Sequence, residues 1–251
     1  MEATTNSQII DFSLHMQSDP VLKYREVLNK KKGSLVLKRA FDFVCSLILL
    51  VLLSPAILVI ALLIKLDSPG HIVFKQKRIT KNAKPFYIYK FRTMVENAER
   101  LGSQVTVKHD ARVTRIGHVL RKFRLDEILQ LLNILKGEMS FVGTRPEVEK
   151  YVAAYTDEMF ATLLLPAGVT SLSSIYYKDE ERLLSATDNA DETYINEILP
   201  SKMKYNLEYL RNFTFFQDLK LMIMTVFAVC GKSFGDVRDG ENQKRNEVLV
   251  K

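Results

Sequence analysis

Two adjacent carboxylates, Asp126 and Glu127, stand in a cluster of cations in this chain. Arg121, Lys122 and Arg124 precede them, and Arg145 follows within Gly143-Thr-Arg-Pro146. Carboxylates supply hard oxygen ligands for Mg2+, and guanidinium forks fit phosphate oxygens. The combination suits a Mg2+-assisted reaction on a phosphate, with Asp126 and Glu127 as catalytic and metal-ligating candidates. The same residues also suit a solvated amphipathic helix, with acids in its first turn and bases around it.

Something must hold these groups. Leu125 to Lys136 reads as a helix with Ile128, Leu131, Leu132 and Leu135 as its apolar stripe and Gly137 as its stop. Asp126, Gln130 and Asn133 fall on another side. Upstream, Ile72–Phe74 and Phe86–Tyr89 read as short strands separated by the basic stretch Lys75–Lys84, and Met94–Leu101 as a short helix. Downstream, Glu147–Leu164 reads as a helix, Pro166–Thr170 as a loop, Ser171–Tyr177 as a strand or extended segment, Asp179–Ala186 as a short charged helix and Ile195–Phe213 as a helix. Leu221–Cys230 is apolar but too short to span a bilayer. With Phe213, Phe215 and Phe216 beside it, it suits the membrane surface or a docking face.

The strongest physical signal is Phe41–Ile64, about 24 almost wholly apolar residues where a spanning helix needs roughly 20. It starts too far from the N-terminus for an ordinary signal peptide. Ser54-Pro55 falls near its middle, and proline there favours two short helices joined by a bend. Lys38 and Arg39 precede the segment, and Lys65, Lys75, Lys77 and Arg78 follow it. Basic residues mark the cytoplasmic side, so basic flanks at both ends fit a hairpin that enters and leaves on one face. A single kinked spanning helix fits the same run, since membrane helices tolerate proline. Asp42 is placed to pair with Lys38 or Arg39.

A net charge of +7 and a pI near 9.2 point to an anionic partner, and 47% hydrophobic residues suffice for a sizeable core. Cys45 and Cys230 both lie in apolar runs and indicate no disulfide framework. No P-loop, dinucleotide fingerprint or zinc-ligand spacing is present, and a serine or cysteine hydrolase triad has no positive support. Residues 1–37 read as a loosely ordered extension with a short helix around Val21–Leu28, 38–66 as the membrane hairpin, 67–231 as a catalytic domain and 232–251 as a mobile tail.

Several blocks together resemble the bacterial sugar transferase family, the monotopic phosphoglycosyl transferases that begin lipid-linked glycan assembly. They are Lys38-Arg-Ala-Phe-Asp42 before the apolar run with Ser54-Pro55, Phe74-Lys-Gln-Lys-Arg78, Phe86-Tyr-Ile-Tyr-Lys-Phe-Arg-Thr-Met94, Leu125-Asp-Glu127, Gly137-Glu-Met-Ser140, Arg145-Pro-Glu147 and Pro166-Ala-Gly-Val-Thr170. They occur in the family's order from about Lys38 to Phe227. The family usually has glycine where Thr80 and Ala83 stand, proline where Leu129 stands, and Gly-Pro-Arg-Pro where this chain has Gly143-Thr-Arg-Pro146.

The resemblance implies a mostly helical α+β protein. A re-entrant membrane helix-break-helix, broken at Ser54 and Pro55, precedes a small cytoplasmic catalytic domain with amphipathic interfacial helices, on the cytoplasmic face of a bacterial cell membrane. It implies a UDP-sugar donor, a polyprenyl (undecaprenyl) phosphate acceptor and Mg2+. Asp126 would attack the phosphorus bearing the sugar, UMP would leave, and the lipid phosphate would discharge the phosphosugar–aspartyl intermediate. Glu127 would assist through metal or acid–base work. Lys90, Arg92, Arg121 and Arg145 would bind substrate phosphates. Membrane lipid is then the partner rather than nucleic acid, and exposed apolar faces permit a homodimer. Two non-catalytic readings compete: a membrane-anchored basic binding module, and a family member that acts as a scaffold.

Overall fold

In the computed structural model, which describes residues 11–98, 110–177, 184 and 189–229, the chain begins with helix α1 (Asp19–Asn29) and enters α2 (Lys32–Asp67). At 36 residues, α2 is about 54 Å long. The break expected at Ser54-Pro55 does not interrupt it. Pro55 lacks the N–H that would bond the Val51 carbonyl. The Ser54 hydroxyl donates to that carbonyl at 2.8 Å and fills the missing bond.

One stripe of α2 packs on the protein. Lys38, Asp42, Ser46, Ile60 and Ile64 are buried along it, and Leu49, Leu50, Leu53 and Ile57 are partly covered. The other side exposes Leu52, Leu58, Val59, Leu62 and Leu66. Only 11% of the most apolar stretch is buried, unlike the core helix of a soluble protein. An apolar face this large calls for a non-aqueous partner.

Both ends of α2 are tied to one body. Helix α3 (Arg115–Lys122) starts at Thr114, whose hydroxyl accepts from the Gly117 N–H, and its Ile116 N–H donates to Asp67 Oδ2 at 3.2 Å. At the other end Arg39 donates to the Ile134 and Leu135 carbonyls, at 2.7 and 2.9 Å. These are last-turn carbonyls of α4 (Gln130–Lys136), where helical donors run out, and the Ile134 carbonyl also accepts the Gly137 N–H. Asp42 accepts the Phe141 N–H at 3.2 Å, while the hydrogen bonds of Lys38 and Arg39 go elsewhere. Lys38 instead bonds the Val142 carbonyl and Asp218, at 2.7 and 2.6 Å.

Two small sheets sit against α4. Strands β1 (Val73–Thr80) and β2 (Lys84–Phe91) form an antiparallel hairpin, in register from Val73 opposite Phe91 to Thr80 opposite Lys84. Both strands run longer than expected, because the basic stretch alternates outward lysines with half-buried residues. At the turn, Asn82 and Ala83 both adopt φ of +57°. Asparagine tolerates that region; alanine strains there, which fits the family's usual glycine. Ala83→Gly is expected to stabilise the protein by about 0.5–1 kcal/mol, the relieved strain exceeding the added chain entropy. Chemical denaturation should show a higher midpoint; a lower one would mean the turn is not strained.

Strand β3 (Met139–Val142) pairs in parallel with β4 (Ala167–Thr170), so the expected Pro166–Thr170 loop is a strand after its proline. A Cβ at Gly168 would lie 2.2 Å from the Gly143 nitrogen, so the two chains meet closely only with glycine there. Thr80 ties the sheets together: its hydroxyl donates to the Glu138 carbonyl at 2.6 Å and accepts the Ala167 N–H at 3.1 Å.

The remaining helices differ from the sequence expectations in length and place. Leu125–Glu127 is one 3-10 turn, and α4 begins only at Gln130. Glu147–Leu164 contains only α5 (Glu149–Val152) and a 3-10 turn at Met159–Leu164. Ser171–Tyr177, expected to be extended, holds α6 (Leu172–Tyr176), because the Ser171 hydroxyl caps it by accepting from the Ser174 N–H. Helix α7 (Ala190–Thr193) passes through a π turn, Tyr194–Ile198, into α8 (Leu199–Asn212), and α9 (Phe215–Val229) follows. Helix α9 docks through buried Leu221 and Asp218 and leaves Phe216, Ile223 and Val226 exposed.

The described part of the N-terminal segment is not a loose extension. Phe12, Met16, Val21, Tyr24 and Leu28 sit in the largest core cluster with Phe160, Leu164, Met203 and Leu210. Met94 bridges Val113 and residues 95–97 are not helical; 3-10 geometry appears at Ala98, and the rest of the expected Met94–Leu101 helix lies outside the described residues. Asp179–Ala186, apart from Leu184, together with Cys230 and the tail from Lys232, lies outside the described residues.

Candidate active site

After α3 the backbone reverses at Arg124, which adopts a left-handed φ of 55°. The 3-10 turn that follows carries Asp126 and Glu127 inward, leaving them 8% and 9% exposed. They face different surroundings. Glu127 lies between Lys90, from β2, and Arg145, from the loop after β3. Lys90 Nζ donates to Glu127 Oε1 at 2.9 Å. Arg145 donates to the same oxygen at 2.5 Å, and its other nitrogen lies 3.5 Å from Oε2. The loop that carries Arg145 is fixed by β4: the Gly143 N–H donates to the Thr170 carbonyl and the Gly168 N–H to the Thr144 carbonyl.

Burial pushes the Glu127 carboxyl up, but the charges of Arg145 and Lys90 outweigh it and hold the group well below its ordinary range. Burial pushes the Lys90 ammonium down, against the opposing pull of Glu127. Asp126 is shifted the other way. Burial raises it, Lys90 only partly offsets that, and neighbouring Glu127 raises it further. Among the described residues, no donor lies within hydrogen-bonding distance of the Asp126 carboxylate. It lines a cavity of about 460 Å3 together with Lys90, Arg121 and Arg145. Glu127 is thus a fixed anion that orients two cations, and Asp126 is a carboxylate with open oxygens in a cationic cavity.

Among the described residues no cluster of three or more metal-binding side chains occurs. Mg2+ needs none, because it is usually held by one or two carboxylates plus substrate oxygens. The open Asp126 carboxylate fits that role. Glu127, with cations on its oxygens, does not fit it in this arrangement.

Five of the expected residues converge: Asp126, Glu127, Lys90, Arg121 and Arg145. Arg92 borders the cavity but spends its donors elsewhere. It bonds the Ser68 carbonyl and hydroxyl, the Pro69 carbonyl and Glu96, and so fastens the turn that follows α2. Ser54 and Pro55 lie on α2, outside this cavity. The cavity also includes residues that sequence reasoning assigned no role. Tyr194 donates to Glu147 at 2.5 Å, Lys202 donates to Tyr194 at 3.0 Å, and Arg78 donates to the Pro146 carbonyl at 3.0 Å. Arg78 and Glu147 stand inside motifs already singled out; Tyr194 and Lys202 carry no local sequence signal. Ser174 and Ile175 of α6 face a second, largely apolar cavity.

Comparison with known proteins bears on what this site does. The family model described as Bacterial sugar transferase matches residues 33–232. The exopolysaccharide production protein PSS of Rhizobium leguminosarum bv. phaseoli is 38% identical over 212 residues, covering 80% of this chain and 99% of that one. A UDP-N-acetylgalactosamine-undecaprenyl-phosphate N-acetylgalactosaminephosphotransferase of Aeromonas hydrophila is 36% identical over 194 residues, 76% of this chain and 43% of that one. A UDP-glucose:undecaprenyl-phosphate glucose-1-phosphate transferase of Escherichia coli (strain K12) is 34% identical over 196 residues, 76% of this chain and 40% of that one. The aligned part thus spans less than half the length of the latter two.

Proposed function

This chain belongs to the bacterial sugar transferase family, and from that premise we propose that it moves a sugar 1-phosphate from a UDP-sugar to undecaprenyl phosphate. The observation that carries the reading is the asymmetry of the acid pair: one carboxylate is clamped by Lys90 and Arg145, and its neighbour is open to the cavity.

A carboxylate nucleophile divides one displacement into two. In the first step an Asp126 oxygen attacks the phosphorus that bears the sugar. The bond from that phosphorus to the bridging oxygen breaks, and UMP leaves with the electron pair. In the second step an oxygen of the lipid phosphate attacks the same phosphorus. The aspartyl–phosphorus bond breaks, the carboxylate returns, and a polyprenyl-diphosphate sugar is formed. Arg145 and Arg121 hold phosphate oxygens, and Lys90 adds a point charge. Glu127 keeps Lys90 and Arg145 aimed at the reacting group. Mg2+, held by Asp126 and donor oxygens, would neutralise diphosphate charge that otherwise repels an anionic nucleophile.

Membrane placement follows the same reading. Both ends of α2 are bonded to one body with polar surfaces, so a full crossing would drag part of that body into hydrocarbon. We therefore place α2 on the cytoplasmic face with both ends on one side, its outer apolar stripe in lipid. The basic flanks support this side. Tags at the two termini of the protein in intact cells should both be shielded from outside; labelling of either from outside would contradict it.

The reaction is tested with purified protein, Mg2+, undecaprenyl phosphate and a panel of UDP-sugars. UMP release with one sugar, dependent on the lipid, is expected. Its absence with every sugar would favour the scaffold reading. The same assay separates Arg92 from the phosphate-binding residues. Arg92→Lys loses the fork that holds Ser68 and Pro69, and should lower stability by about 2 kcal/mol. It should leave the donor KM within about twofold, since uniform binding contacts are untouched. A donor KM raised tenfold or so would return Arg92 to the phosphates.

A further inference from the structure

We propose that the second cavity, bounded by α2, α4, β4 and α9, receives the phosphate-bearing end of the isoprenoid acceptor from the bilayer, apart from the donor cavity at Asp126. This rests on the transferase reading above. The cavity holds about 530 Å3. Leu49 and Leu53 of α2, Val169 of β4 and Ala228 and Val229 of α9 supply apolar walls. Glu127 and Arg145 also line it, and Lys122 and Arg124 add positive charge. Apolar walls leading to cations match a long apolar chain that ends in a phosphate.

Two observations fix the occupant as a lipid. The helices that wall the cavity expose apolar side chains on their outer sides, Val51 and Leu52 on α2 and Ile223 and Val226 on α9. Val229 lines the cavity and is itself half exposed. A ligand that lies among bilayer lipids therefore reaches the cavity without crossing water. The volume is in the ordinary range for a small-ligand pocket, about 300–1,000 Å3, and holds the first part of a polyprenyl tail, not the whole. The rest stays in the bilayer.

Arg145 lines both cavities. It is therefore the contact that the departing UMP phosphate and the arriving lipid phosphate use in turn, from opposite sides of the Glu127 pair. The lipid phosphate oxygen then bonds the phosphorus on Asp126, and the aspartyl oxygen is released as carboxylate.

The test uses the full chain in lipid nanodiscs. Leu53→Phe and Ala228→Phe narrow the cavity; Leu58→Phe, on the exposed side of α2 and outside the cavity, is the control. Two readouts are compared. One is the exchange of labelled UMP into UDP-sugar without acceptor, which reports the donor step alone. The other is the KM for undecaprenyl phosphate. Both cavity variants should raise that KM roughly tenfold or more, as shape changes in apolar pockets do, with exchange unchanged. The control should change neither. An unchanged acceptor KM in folded, exchange-competent cavity variants would overturn the inference. No exchange together with no lipid-dependent UMP release in the unaltered protein would overturn the transferase reading itself, and this inference with it. No exchange with lipid-dependent release would overturn the covalent step alone and leave the acceptor KM as the test of the cavity. A second measurement needs no variant: a photoreactive isoprenyl phosphate should label residues 49–53 and 225–229, and excess undecaprenyl phosphate should block that labelling. Labelling that persists, as general lipid contact would, or that falls elsewhere, would also overturn the inference.

Discussion

Asp126→Asn is expected to lower turnover by about 10³-fold or more while leaving the fold at least as stable as before. Asparagine has nearly the same shape but no charge with which to attack phosphorus. The stability half of the prediction comes from the direction of the Asp126 shift. Burial, the first cause, lifts its pKa above the usual 3.8, so the charged form is disfavoured in the fold. A raised carboxyl makes folding less favourable as the pH rises through and above its ordinary value. Removing the charge removes that cost. The melting temperature of Asp126→Asn should equal or exceed that of the original protein at pH 7, and the difference should shrink in acid. An inactive variant that is also strongly destabilised would show that Asp126 is mainly structural.

Glu127→Gln should behave in the opposite way. Glu127 is the anion that Lys90 and Arg145 share. Without its charge both cations remain facing each other, partly buried, with side chains 19% and 30% exposed. Removing one partner of a buried ion pair costs about 3–5 kcal/mol, and the lower end suits a site with this much solvent. At roughly 2–4 °C per kcal/mol for a chain of this size, melting should fall by about 10 °C. Activity should fall as well, because Arg145 and Lys90 lose their alignment. The pH dependence has a definite sign. A carboxyl held below its usual 4.5 stabilises fully above that value and loses its contribution as pH falls toward the folded-state pKa. The original protein should therefore lose its advantage over Glu127→Gln in acid. Equal melting temperatures of the two at pH 7 would contradict the clamp.

Parts of this arrangement were legible from residues 38–170 alone. The acid pair, Lys90, Arg121 and Arg145 could be gathered because each sits in a short motif of distinctive chemistry. The membrane association of α2 followed from an uninterrupted apolar run. Other features depend on long-range packing. Leu125–Lys136 has a clean helical stripe, yet its first turn is 3-10, because Arg124 reverses the chain before it. Arg92 looks like Lys90 in the sequence, two residues on; the turn after α2 takes up its donors. Pro55 signalled a break that the Ser54 hydroxyl repairs. The N-terminal residues were polar enough to read as loose, but a few apolar side chains, Phe12, Val21 and Leu28 among them, suffice to dock them on the core. Tyr194 and Lys202 line the cavity through packing of distant segments that no local pattern signals.

The central claim is that Asp126 itself carries the phosphosugar between two steps. The most direct test mixes the protein with Mg2+ and the UDP-sugar it uses, without any lipid acceptor, and quenches at short times. The account predicts a burst of UMP not exceeding one equivalent per active site, with a phosphosugar mass on the peptide containing Asp126. Undecaprenyl phosphate added before the quench should remove that mass. UMP formation that requires the lipid from the first turnover, with no adduct at any time, would contradict the account and point to direct transfer between the two substrates.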